Sequence, residues 1–270
     1  MISDVTIGQY LPGNSFIHKI DARIKIVISL LFMISVFLCR NYISLSFVLL
    51  LAIGVCALSM IKPKIILKGL KPIIIIVLFT TVINLFYGNG EPIFQFWILK
   101  ITVDGINKAV FMGLRIIILV IFGLMLTYTT TPTSLTDAIE ALLKPLTYLH
   151  IDVQSFAMTM TIALRFIPTL LEEVDKIMAA QKSRGADMES GNIFKRIKAI
   201  VPIMIPLFVS SFRRANELEY AMECRCYTGG NGRTKMKVMK MQGRDYFALI
   251  FALLYIASII LLRIFTTSII

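Results

Sequence analysis

The sequence predicts an all-α membrane protein with about five transmembrane helices and a long cytoplasmic or interfacial segment of about three further helices. Three observations carry that expectation. Of the 270 residues 57% are hydrophobic and only 16% charged, and the mean hydropathy is +0.81, too little polar surface to cover a water-soluble globule. The apolar residues fall into runs long enough to span a bilayer, separated by basic clusters. Between Pro132 and Arg244 the runs give way to an apolar stripe repeating every three to four residues, with charges of both signs beside it.

The elements follow in order. Residues Met1 to Lys25 mix turn formers (Gly8, Pro12, Gly13, Asn14) with Tyr10, Leu11, Phe16, Ile17 and Ile20 and have no small-residue cleavage site, so they read as an interfacial arm on the membrane surface and not as a cleaved signal. The first span runs from Ile24 to Cys39 and the second from Tyr42 to Ile61, joined at Arg40-Asn41 by a connection that permits only a hairpin. Lys62, Lys64, Lys68 and Lys71 then form a basic stretch suited to the cytoplasmic side. A third span is expected from Pro72 to Tyr87, and a loop with Gly88, Asn89, Gly90, Phe94, Phe96 and Trp97 suits the far interface. The fourth span, Ile106 to Thr130, returns the chain inside, with Lys108 and Arg115 snorkelling outward. A last span, Asp245 to Ile264, leaves the C-terminus outside. The resulting divisions are 1–131 for the arm and spans one to four, 132–243 for the polar helical segment, and 244–270 for the final span.

The formal charge of +12 does not signal nucleic acid, because the basic residues lie between apolar runs and form no patch interleaved with aromatics; positive-inside topology accounts for them. Cys39, Cys56, Cys224 and Cys226 have no framework spacing and read as free thiols. Cys224-x-Cys226 is far in sequence from the only histidines, His18 and His150, so packing is favoured over zinc and no metal site is assigned.

Within the polar segment, Thr131-Pro132-Thr133-Ser134 starts a short helix that stops near Lys144-Pro145. A second helix starts around Asp152 and carries the stripe Phe156, Met160, Leu164, Ile167, Leu171, Val174 and Met178. Its polar face holds Glu172, Glu173 and Lys176, with Glu172 and Lys176 at pairing distance along the helix. It ends at Ser183-Arg184-Gly185. A third passes Pro202 and Pro206, where the semi-apolar stretch Ile197 to Phe212 imitates a broken membrane helix, and ends at Cys224-Arg225-Cys226 before a stop at Gly229-Gly230. Both long helices thus finish on an arginine between small residues, with Ala180 and Ala221 each four positions earlier. An arginine near a helix C-terminus is ordinarily there to complement the macrodipole. Small neighbours, however, leave a guanidinium uncovered and free for a carboxylate on another protein.

Several stretches, in chain order and over nearly the whole chain, resemble the T component of energy-coupling factor transporters, the EcfT family. These are Ile7-Gly8-Gln9-Tyr10, Pro12-Gly13-Asn14-Ser15, His18 to Arg23, Ala163-Leu164-Arg165-Phe166-Ile167-Pro168, Gln181 to Ala186, Pro206 to Ala215 and Ala221 to Tyr227. The resemblance implies a multi-pass subunit of the cell membrane, itself without catalytic residues or cofactor, that couples two ABC-type ATPases using ATP and Mg to an interchangeable membrane protein, the S component, which binds a vitamin or a metal ion. It also implies that Ser183, Arg184, Gly185 and Cys224, Arg225, Cys226 dock into the ATPases. The chain departs from the family pattern in having Ser183 and Cys224 before the arginines and Cys226, which lacks glycine's backbone freedom, after the second. Contact with the S component is expected along Leu135, Ile139, Met160, Leu164, Ile167 and Leu171.

Two other function classes compete. A secondary transporter or channel working without ATPases would place ionisable residues at mid-membrane, whereas the first three spans have none in their interiors and only Asn84 stands out there, suited to an interhelical hydrogen bond. A membrane enzyme would draw on Glu172-Glu173 or on His150 with Asp152, but no H-E-x-x-H or nucleophile-elbow spacing accompanies them.

Overall fold

The computed structural model describes residues 10–86, 92–96, 99–150, 152–186, 193–227, 229 and 239–265. Eight α-helices account for nearly all of them, as the fold class predicts. In chain order they are α1 (Ala22–Leu38), α2 (Tyr42–Ser59), α3 (Pro63–Phe86), α4 (Val103–Thr129), α5 (Pro132–Leu143), α6 (Val153–Ser183), α7 (Ile193–Glu223) and α8 (Gly243–Phe265), with a 3-10 helix at Lys144–Leu149. The contacts divide the chain into two compact units, one within 139–237 and the other formed by 8–138 together with 238–270.

The second of these is a helical bundle. Helices α2, α3, α4 and α8 are each long and apolar enough to cross a membrane, and the 17-residue α1 packs against α4 and α8 beside them. Its core is a layer of aromatic and branched side chains: Phe32 meets Phe122 at 5.3 Å and Tyr255 edge-on at 5.6 Å, while Val36, Val48, Phe111, Ile118 and Ile259 are fully buried. Outside that layer Leu50, Ile75, Phe79, Phe247 and Leu254 are exposed, as side chains in a lipid solvent should be. Helices α3 and α4 approach closely where glycine allows it. A Cβ on Gly105 would stand 2.5 Å from the carbonyl oxygen of Leu85.

One end of the bundle is knitted by the chain's N-terminal arm, of which residues from Tyr10 onward are described. The Leu11 amide donates to the Tyr128 carbonyl (3.0 Å), and the Lys25 ammonium donates to the carbonyls of Thr129 (2.8 Å) and His18 (3.2 Å). Asp245, at the start of α8, accepts from the Asp21 amide (2.9 Å), and Asp21 in turn pairs with Arg23 (3.0 Å). His18 bonds Ser15 Oγ through Nδ1 (2.6 Å) and the Leu11 carbonyl through Nε2 (3.0 Å), a pattern met by the neutral ring with its proton on Nε2. Burial, reinforced by the charge of Lys25 and opposed by the Leu11 bond, holds the imidazole below its usual pKa, in keeping with that neutral form. The arm thereby fixes the start of α1, the end of α4 and the start of α8 to the same end of the bundle, as the alternating topology requires.

Several expectations need correcting. Helix α3 begins at Pro63, not Pro72; Pro72 lies inside it, and the basic stretch Lys64, Lys68 and Lys71 forms its first turns. The loop after the third span holds a short antiparallel hairpin, β1 (Pro92–Phe96) with β2 (Leu99–Thr102), in which Phe96 is opposite Leu99. Trp97 lies outside the described residues. Arg115 does not snorkel: one of its terminal nitrogens donates to the Cys39 carbonyl at 2.6 Å and its guanidinium lies 4.8 Å over the Phe111 ring, so it serves the orphan carbonyls at the end of α1. Lys108 pairs with Asp104 at 2.9 Å. Asn84 bonds the Thr80 carbonyl one turn back in its own helix (2.8 Å) and not a neighbouring helix, whereas the four cysteines are free thiols as expected.

Candidate functional site

Helices α6 and α7 each comprise 31 residues, which makes each about 46 Å long. Helix α6 is started by Asp152, whose carboxylate accepts from the Ser155 amide (3.1 Å) and from the Ser155 hydroxyl (2.5 Å). These two bonds hold the Asp152 carboxyl below the usual carboxylate range. Neither Pro168 in α6 nor Pro202 and Pro206 in α7 interrupts the helix. The semi-apolar stretch that imitates a broken membrane helix is therefore the interior of one continuous element.

The ends of the two helices share one backbone construction. At the first, the Gly185 amide bonds the Lys182 carbonyl (3.0 Å) and the Ala186 amide reaches the Gln181 carbonyl (3.0 Å), with Gly185 at φ +83. At the second, the Cys226 amide bonds the Glu223 carbonyl (2.8 Å) and the Tyr227 amide reaches the Met222 carbonyl (3.1 Å), with Cys226 at φ 56. Both are Schellman caps, and in each the arginine occupies the capping position directly before the left-handed residue. The second helix therefore stops at Cys226 and not at the later glycines. Ser183, Arg184, Gly185, Cys224, Arg225 and Cys226 are all exposed. Two equivalent guanidinium groups thus stand at helix ends, exposed among the described residues.

The helices run antiparallel, because contacts pair late α6 with early α7. Gln181 reaches the Pro202 carbonyl at 3.5 Å, Glu173 accepts from Ser210 and Arg214, and the Tyr227 hydroxyl bonds Met158 sulfur at 3.1 Å. Arg184 and Arg225 accordingly sit toward opposite ends of the pair.

The family model described as cobalt transport protein (CbiQ) matches residues 13–236. Among curated proteins, the energy-coupling factor transporter transmembrane protein EcfT of Clostridium kluyveri is 49% identical over 98% of this chain and 98% of its own length. That of Bacillus subtilis is 43% identical over 97% and 100%. The chain belongs to the EcfT family of energy-coupling factor transporter transmembrane proteins. It is thus a multi-pass membrane subunit of a transport system.

In this EcfT-family chain the six residues expected to face a substrate-binding partner are not all equally open. Ile139 and Met160 are exposed, at 38% and 41% of their free area, whereas Leu135, Leu164, Ile167 and Leu171 are half-buried. A groove between α6 and α7 near the second arginine is lined by Ile162, Phe166, Leu218 and Met222 together with Glu219 and Glu223. The expected Glu172–Lys176 pair is not among the ion pairs of the described residues; Glu173, one position on, makes the cross-helix contact instead. Sequence reading placed Glu173 on a solvated face. The one signal pointing between the helices was Pro206, which has no amide proton and so leaves the Pro202 carbonyl needing a donor from elsewhere. Gln181 provides it.

Proposed function

We propose that this chain is the coupling subunit of an energy-coupling factor importer: it carries the motion of two cytoplasmic ABC-type ATPases to a substrate-binding membrane subunit that takes up a vitamin or another micronutrient. Cobalt, which the family description names, falls within that class. The observation that supports this reading best is the pair of equivalent capped helix ends, each presenting an uncovered arginine to a partner with two equivalent sites. Planar guanidinium forks suit carboxylates on such a partner. The basic residues Lys62, Lys64, Lys68 and Lys71 at one end of the bundle support placing that end, with the N-terminus, in the cytoplasm and the C-terminus outside.

ATP binding draws the ATPases together, the ends bearing Arg184 and Arg225 follow, and the apolar stripes transmit the displacement. The chain itself performs no chemistry; ATP and Mg belong to the ATPases. Replacing Arg184 and Arg225 together by alanine is expected to abolish copurification of the ATPases or substrate uptake. Wild-type copurification together with wild-type uptake in that variant overturns the reading.

A further inference from the structure

Two side-chain contacts between α6 and α7 fit a single antiparallel register. Gln181 and Pro202 each stand eight positions from Glu173 and Ser210 along their respective helices, so both pairs meet without any change of pitch. The two contacts differ greatly in strength. Gln181 to the Pro202 carbonyl is 3.5 Å long and exposed, at the limit of a hydrogen bond. Glu173 is a half-buried carboxylate whose two oxygens are both occupied, one by the Ser210 hydroxyl and the other by the Arg214 guanidinium.

Ser210 is only 6% exposed, so a missing partner at 173 removes the cross-helix bond of a buried hydroxyl; the Arg214–Glu173 bond, with Arg214 37% exposed, is worth less by itself. The Ser210 bond first, then the Arg214 bond and the charges of Arg214 and Arg213, outweigh burial and hold the Glu173 carboxyl below its usual range, so it stays ionised and accepts from both donors. The cluster lies in the interior of both helices, well away from either arginine.

We propose that Glu173 is a positioning residue for transport: by holding Ser210 and Arg214 it locks α6 to α7, so that the two arginine ends move as one body. This rests on the coupling role proposed above. Without the lock each helix answers its own ATPase, and ATP hydrolysis proceeds without a concerted displacement of the pair. The contact is ionic and reciprocal, which makes it reversible by design. An arginine at 173 and a glutamate at 214 restore the pairing, and Ser210 serves such a reversed pair equally well because a hydroxyl can accept as well as donate.

The test uses the whole transporter, purified with its ATPases and substrate-binding subunit and reconstituted in vesicles. Glu173→Gln, Glu173→Ala and Arg214→Ala are expected to copurify the ATPases at the wild-type level and hydrolyse ATP, while uptake falls about tenfold, the scale of a coupling energy between contacting residues. The reversed pair, Glu173→Arg with Arg214→Glu, is expected to recover uptake to within about threefold of wild type, and Gln181→Ala to lose less than about threefold. Wild-type uptake in the single variants overturns the proposal, as does a reversed pair no better than either single change. Loss of uptake strictly in step with loss of the ATPases also overturns it, since the residue then serves assembly. Failure of the coupling role itself is distinguishable: the wild-type chain would then transport without ATPases, whatever residue stands at 173.

Discussion

The two arginine-bearing helix ends are built from the same hydrogen bonds on different residues. At the first end the left-handed position is Gly185, which adopts φ +83 freely; at the second it is Cys226, whose Cβ makes φ 56 costly. The difference teaches that the cap geometry is what the second end keeps, since it is held there against a penalty of about 1 kcal/mol. A helix end needing only to stop would place its turn at Gly229, three residues further on, where φ is +97.

This contrast yields a series of expected effects. The largest comes from Gly185→Val: a β-branched residue in the left-handed region is expected to cost about 2 kcal/mol locally and to loosen the first end, read as faster hydrogen exchange at the Ala186 amide. Next, Cys226→Gly is expected to relax the second end by about 1 kcal/mol, slowing exchange at the Tyr227 amide. An unchanged rate there would mean that surrounding contacts already compensate the strain. The smallest effect belongs to Ser183→Ala. Ser183 Oγ bonds the Ala179 carbonyl (3.1 Å) on an exposed face, so its removal is expected to change stability by less than about 0.5 kcal/mol.

Much of the bundle was legible because lipid imposes a simple rule: a span must be long, apolar and helical. Helices α1, α2, α4 and α8 begin and end within a few residues of their apolar runs. The start of α3 was hidden because hydropathy reports where the solvent changes, not where a helix begins; its first turns carry Lys64, Lys68 and Lys71, and Pro72 looked like a boundary. Pro202 and Pro206 look like boundaries in the same way, yet the third helix of the polar segment is read as passing both, as α7 does. At the candidate site both helix ends were legible as arginines between small residues, but not the left-handed turn at Cys226, for which glycine is the usual sign. The pairing of Glu173 with Ser210 and Arg214 could not be read from one sequence, since periodicity tells which face is polar and not which face meets a neighbour.

The position of Glu173 along α6 carries a mechanical consequence. From that contact to Arg184 is about 16 Å of helix, and in the other direction to Val153 about 30 Å. A tilt of the locked pair by about 10°, with that contact as its fixed point, moves the arginine by about 3 Å and the far end by about 5 Å. On the coupling role proposed above, the pair is a lever with unequal arms, and a small displacement at an ATPase arrives nearly doubled at the end of α6 where the chain comes out of the 3-10 helix.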